Sequence, residues 1–325
     1  MTVPDEEPTT AAPTLDPSTP IGGQAVVEGV MMRGPHVWAV AARRPDGTIA
    51  TTDEVVPEWA QKPKGIPIVR GAFALVETMA LGLRALRWSA AVEKGEESGE
   101  AASNRSLAVA TVVTLVVFVA VFAVVPAAIA RAVSGLVDDS TVVFVVAEGL
   151  LRLGLFLGYV VAIGRSPAIR RTYEYHGAEH MVIAAFEHAE PLTVAAARRY
   201  STRHARCGTD FLLLVVVVAI VVFSFVGQAS WAVLVLSRVL GLPLVAGLAY
   251  EILRLAKRRP DSRFVKAITA PGLALQALTT KPPADDQIEV AIASLEAVLA
   301  AETQAARTPA AEAEVGAAGQ TPATA

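Results

Sequence analysis

The sequence predicts a mainly α fold: a polytopic membrane protein with about four transmembrane helices, a small N-terminal β-containing segment and cytoplasmic helices. Three observations carry that prediction. The 325-residue chain is 53% hydrophobic and only 18% charged, with a mean hydropathy of +0.48. An ordinary soluble domain carries about 25% charged residues. The chain holds four apolar runs close to the roughly 20 helical residues that cross about 30 Å of hydrocarbon. Its arginines are shared unevenly among the links between those runs.

Residues 1–20 are acidic, rich in Pro and Thr, and lack the apolar stretch of a secretory signal. They bury too little to offset chain entropy and are expected as a disordered tail, as are residues 303–325. Residues 21–65 open with a glycine-rich segment, glycines 22, 23, 29 and 34 surrounding Glu28 and Arg33. The segment lacks the Lys-Ser/Thr ending of a phosphate loop, so a loop and strand packed on the membrane domain are expected. A β-hairpin follows, with "HVWAVAAR" and "TIATTDEVV" joined at Asp46-Gly47. Residues 66–95 read as an amphipathic helix in the interface or against the bundle, its apolar run interrupted by Arg70, Glu77, Arg84 and Arg87.

Transmembrane helices 1 and 2 are expected within residues 107–163, at Leu107–Ala130 and Thr141–Ile163. Helices 3 and 4 are expected within 210–250, at Phe211–Val226 and Ala229–Tyr250, as a hairpin closed by "GQAS". In lipid only helices keep such runs fully hydrogen-bonded. Glu148 and Arg152 stand at i,i+4 and are expected to pair near the outer edge, with Arg238 in mid-span. A polar pathway through the bundle is the sharper alternative. Gly154 and Gly158 form a GxxxG pattern that fits close helix packing.

Orientation follows from the basic residues. The link at 164–209 carries Arg165, Arg170, Arg171, Arg198, Arg199, Arg203 and Arg206, against Arg131 alone in the first link. Arg254, Lys257, Arg258 and Arg259 follow the last span. The expectation is a multi-pass protein of the inner (cytoplasmic) membrane with both termini and the central link in the cytoplasm. Residues 251–302 supply the cytoplasmic C-terminal helices, with Ile288, Ala291, Leu295 and Val298 at helical spacing.

The expected partner is the lipid bilayer. A net charge of -3 gives no basic field for nucleic acid. Protein partners are not legible, and a homo-oligomer stays open. The single cysteine, Cys207, excludes an intrachain disulfide and leaves its thiol as a ligand or nucleophile.

Three of the five histidines fall within "YHGAEHMVIAAFEHAE", Tyr175 to Glu190. On a helix His176 and His180 share one face and can hold one divalent metal, such as Zn. With Glu179 they form His-x-x-Glu-His, the order of the inverted zincins. Zinc lowers the pKa of water to about 7, and a neighbouring Glu can take its proton. Glu179 is therefore the candidate catalytic base. A site of this kind needs a further ligand. "RHARCGTD" offers His204 and Cys207, and Glu187, His188 and Glu251 are further candidates. These residues leave three alternatives: a closed structural site of His176, His180, His204 and Cys207, a Cys207 nucleophile paired with His204, and hydrogen-bonded histidines without metal. The enzyme reading is a metal-dependent hydrolase at the cytoplasmic membrane face. The competing reading is a non-enzymatic membrane scaffold or assembly protein with a structural metal site. A transporter built on Glu148, Arg152 and Arg238 would have to oligomerise.

"GGQAVVEGVMMRGP", "PIVRGAFALVETMALGLRAL", "YHGAEHMVIAAFE", "HARCGTDFLL" and "PGLALQALTTKPP" together resemble the YqhQ-like family of bacterial membrane proteins. That family is a domain of unknown function described as predicted metal-dependent enzymes. The resemblance covers Ile21 to Glu302. It points to His176, Glu179, His180, His204 and Cys207, with Glu28 and Arg33 in the glycine-rich segment. Where relatives often read "HGAEHK", this chain has Met181, which argues against an essential cation at that position.

Overall fold

Gly22–Val26 (β1), Gly29–Arg33 (β2), Val37–Arg43 (β3) and Ile49–Val55 (β4) pair antiparallel in the order β1-β2-β3-β4. The computed structural model describes residues 15–57, 65–96, 104–137, 140–204, 207–257 and 262–318. Residues 1–14 and 319–325 of the two expected tails lie outside that description.

The predicted hairpin is the second half of a four-stranded meander. The glycine-rich segment is not a loop: it forms β1 and β2, which turn at Glu28 with φ of 49°. A binary pattern hides these strands because both faces of the sheet are covered. Val30, Met32, Val37, Ala39 and Ala41 enter one core, while Met31, Trp38 and Val40 enter another.

The second core is closed by the helix Val69–Glu93 (α1), through Leu81 and Ala85. The first is closed by Pro167–Glu187 (α5) and Asp285–Ala318 (α10), through Tyr175, Val182, Ile183, Ile288 and Leu295. Helix α10 runs past the expected boundary at 302. Glu302 is buried, and its carboxylate accepts the backbone N–H groups of His36 at 2.6 Å and Val37 at 2.8 Å. The Ala/Glu-rich sequence beyond it has high helix propensity.

The apolar helices come next. Asn104–Val119 (α2) continues through a π turn, Ala120–Val124, into Val125–Val137 (α3). Thr141–Ile163 (α4) begins at the Ser140 cap, whose hydroxyl accepts the Val143 N–H. Val194–Ala197 (α6) is a single turn, and Gly208–Ser224 (α7) leads to Trp231–Lys257 (α8). Arg263–Thr279 (α9) precedes α10. Among the described residues three helices are long and apolar enough to cross a membrane: Val112–Val137, Thr141–Ile163 and Trp231–Ala256. The fourth expected span, α7, is apolar but has only 17 residues.

Three charged groups from two of these helices, Glu148, Arg152 and Arg238, gather in one place. The buried Glu148 carboxylate accepts Arg238 Nη2 at 2.7 and 2.8 Å and Arg152 Nη2 at 2.5 Å. Both guanidinium groups lie over the Phe223 ring, at 5.2 Å for Arg152 and 4.6 Å for Arg238. The expected edge pair is thus a three-residue buried cluster, because α8 brings Arg238 to the same carboxylate. Gly154 and Gly158 mark no close helix packing, since a Cβ at either would meet nothing within 4 Å.

Candidate metal centre

Helix α5 sets the site. Pro167 at its first turn follows Ser166, and from there 3.6-residue periodicity stacks His176 over His180. Their rings meet edge-on, with centroids 4.4 Å apart. Each ring is anchored by its Nδ1. His176 Nδ1 donates to the Thr279 carbonyl at 2.9 Å, and His180 Nδ1 donates to the Thr202 carbonyl at 2.6 Å. A carbonyl can only accept, so each Nδ1 carries the hydrogen and each Nε2 presents its lone pair.

The two lone pairs turn towards Cys207, which caps the N-terminus of α7. His176 Nε2 lies 3.2 Å from Cys207 Sγ. His180 Nε2 is buried and has no hydrogen-bond partner. One ring nitrogen of each histidine and the Cys207 sulfur all lie within 4.8 Å of one another. A tetrahedral ion with bonds of about 2.0–2.3 Å holds its ligand atoms about 3.3–3.8 Å apart, inside that limit. Anchoring one imidazole nitrogen on a carbonyl while the other faces a shared point is the usual arrangement around a ligated metal.

Electrostatics favour the same forms of the histidines. Burial pushes His180 down to about 3, helped by the neighbouring His176 and His204, and burial also lowers His176. Both imidazoles are therefore neutral, as ligation requires. Burial pushes the Cys207 thiol up to about 12, although Thr209 lowers it by hydrogen bonding to the sulfur. A cation at this point would displace the thiol proton.

The remaining expected residues divide. Glu179 is buried, and burial pushes its carboxyl up to about 8. Its Oε2 has no hydrogen-bond partner. It does not join the three ligand atoms: it faces β1, where a Cβ on Gly23 would stand 2.7 Å from its Cδ. Only a glycine leaves room there, which gives the glycine-rich strand a local reason. His204 stands one ring further out, its centroid 5.8 Å from that of His180, because Glu187 Oε2 takes its Nε2 at 3.1 Å. His188 turns away, with Nδ1 on the Ala184 carbonyl at 2.7 Å and its ring against Tyr200. Glu251 is engaged by Arg70, Glu28 by Arg171, and Arg33 by Glu77. These pairs tie elements together outside the cluster.

Several contributors had no sequence signal. Thr202 and Thr279 act through backbone carbonyls, to which side-chain identity is irrelevant. Gln276 clamps the His204 backbone, accepting its N–H at 2.9 Å and donating to its carbonyl at 3.0 Å. The polar Gln276 within the apolar "PGLALQALTT" was the one visible hint.

The family described as "Protein of unknown function (DUF1385)" matches residues 66–301. The chain belongs to the DUF1385 family. It is similar to the uncharacterized protein YqhQ of Bacillus subtilis (strain 168), with 36% identity over 295 residues, 86% of this chain and 92% of that protein. No solved structure matches the chain. The DUF1385 match takes in His176, Glu179, His180 and Cys207, and it begins after the sheet that carries Gly23.

Proposed function

We propose that this DUF1385 member is an integral protein of the cytoplasmic membrane that holds a divalent metal ion, of the Zn class, on His176, His180 and Cys207. We propose further that it acts as a metal-dependent hydrolase at the cytoplasmic face. The observation that carries the metal reading is the buried, unpartnered Nε2 of His180, aimed at the same point as His176 Nε2 and Cys207 Sγ. Leaving such an atom unsatisfied costs about 1–3 kcal/mol, and a cation would satisfy it. When bound, the ion supplies Lewis acidity. The protein supplies the rest: carbonyls that fix the ring tautomers, and the Glu179 carboxyl, which holds a proton at a buried oxygen on the ligand helix itself, on the side that faces β1.

Four crossings, with both termini in the cytoplasm, are supported by parity. The sheet, α5 and α10 share one core and so lie on one side of the membrane. Between the sheet and α5 run two long apolar helices, α2–α3 and α4. Between α5 and α10, α8 crosses alone unless α7 crosses with it. The 17 residues of α7 rise about 25 Å, a mismatch that local thinning of a bilayer absorbs at modest cost. The arginines of the central link set that side as the cytoplasm.

The test is metal content per chain in detergent-purified protein. Wild type should carry one ion, His176→Ala, His180→Ala and Cys207→Ser should lose it, and Glu179→Gln should keep it. Wild-type protein without metal would defeat the reading, and a Glu179→Gln variant as empty as His180→Ala would make Glu179 a ligand or its support. The burial of His180 and Cys207 favours a second reading, a closed structural site that staples the link to the bundle. Cobalt substitution separates the two. An open position shifts the visible spectrum on adding azide, whereas a closed four-ligand shell leaves it unchanged.

A further inference from the structure

A cavity of about 450 Å³ lies between α7, α8 and α9, within the range of small-molecule sites, about 300–1,000 Å³. Its walls are hydrocarbon: Leu214, Val217 and Val221 from α7, and Leu248 and Ile252 from α8. Val217 and Val221 are themselves exposed on the apolar surface, so the cavity opens sideways onto the face that α7 turns to lipid. One end differs. There the lining includes the Asp210 carboxylate, packed against Gly272 and hydrogen-bonded by Gln276 Nε2 at 2.8 Å.

That polar end adjoins the metal-centre cluster. Asp210 lies three residues after Cys207, about 4.5 Å of helical rise, and its charge acts on the Cys207 thiol. Gln276 joins Asp210 to the His204 backbone, and Thr279, almost one turn further along α9, holds His176. The groove and the cluster thus share α7 and α9 as walls.

We infer that the groove takes one acyl chain of a membrane lipid with its polar end towards His176, His180 and Cys207, so that the substrate class of the proposed enzyme is a membrane lipid. The inference rests on the metal-site reading above for the substrate role, and on the groove alone for the lipid. The occupant follows from where the opening lies. An apolar cleft that opens into hydrocarbon gains nothing by filling with water, and acyl chains are the molecules at its mouth. The carboxylate end then orients the chain, because a polar head group cannot be placed at the hydrocarbon end without losing its hydrogen bonds.

The experiment uses full-length protein in vesicles of phosphatidylethanolamine and phosphatidylglycerol, doped with either of two photoreactive phosphatidylglycerols. One carries a diazirine at the end of an acyl chain, the other on the head group. Cross-linked peptides are mapped by mass spectrometry. The chain-end probe should label Val217–Val222 several-fold above the lipid-facing surface of α4, and the head-group probe should label peptides holding Thr209 or Gln276. Val217→Trp, which fills the mouth from an exposed position, should lower the groove labelling at least fivefold, while Leu150→Trp on α4 should not. Uniform labelling of every apolar helix, or no effect of Val217→Trp, overturns the lipid site. Head-group labelling confined to Ser224 and Phe225 reverses the chain and overturns the substrate assignment. Cross-linked dimers abolished by Val217→Trp would place a second copy in the groove and overturn the inference. His180→Ala keeps the two readings apart: it should lose metal yet label the groove as wild type does. Groove labelling in a wild-type protein that carries no metal would sink the substrate role and leave a lipid site.

Discussion

Gly177 stands between His176 and His180, and its missing side chain is what lets the chain after α9 close on α5. A Cβ there would collide with the Lys281 carbonyl, while the Lys281 N–H donates to the Tyr173 carbonyl at 2.9 Å. The same segment carries Thr279, so the approach also delivers the acceptor for His176. Gly177→Ala is expected to cost about 1–3 kcal/mol through overpacking and to lower metal retention with it. Gly154→Ala, a helical glycine facing open space, should be neutral or slightly stabilising. Thermal unfolding of the two variants side by side checks this, and equal midpoints would mean that the Lys281 contact is dispensable. At this scale the sequence was legible where side chains do the work. Helical spacing alone placed His176 over His180, and Cys207 was within reach of the same pair. The carbonyls of Thr202 and Thr279 were not legible, because every residue has one. That His204 stands one ring further out was not legible either, because Glu187, which engages it, is 17 positions away.

Among elements, the helices were easier to read than the strands. α1 and α4 fall close to their expected bounds because long apolar or periodic runs have few other solutions. The sheet was half seen, since burial of both faces removes the polar alternation by which strands are recognised. The α4–α7–α8 cluster shows what one element contributes to another. Glu148 is the common acceptor for two buried arginines, from α4 and α8. Glu148→Ala should therefore leave two like charges buried without a counter-charge, a loss of about 3–5 kcal/mol. Arg152→Leu leaves the Glu148–Arg238 pair intact and should be clearly milder. Thermal unfolding in one detergent provides the ranking, and an Arg152→Leu variant as unstable as Glu148→Ala would show that Arg238 alone cannot hold the carboxylate.

For the molecule as a whole, the membrane topology is the quantity to measure. In a Cys207→Ser background, single cysteines at Leu136, Phe225 and Asp46 would be exposed, the first two at ends of apolar helices and the third on the β3–β4 turn. An impermeant thiol reagent on intact cells should label positions 136 and 225 and spare 46. Sparing of 225 with labelling of 136 would make α7 a non-crossing helix and break the parity argument. The arginine bias predicts an orientation for this measurement to check, but no linear pattern announces that residues near positions 30, 180 and 295 belong to one core. That core has a consequence for biosynthesis. Its N-terminal third, Val30 to Ala41, leaves the ribosome some 250 residues before Ile288 and Leu295 are made. Until then one face of the sheet has no cover from α10, and α9 has not yet brought Thr279 to His176. In the proposed topology both apolar pairs are already inserted, with their flanks on the same side, when the last helix arrives. The nascent chain therefore passes most of its synthesis as a threaded but open assembly, and only its final third locks the soluble layer, which makes an early stop codon in α10 as damaging to the first strands as to the last helix.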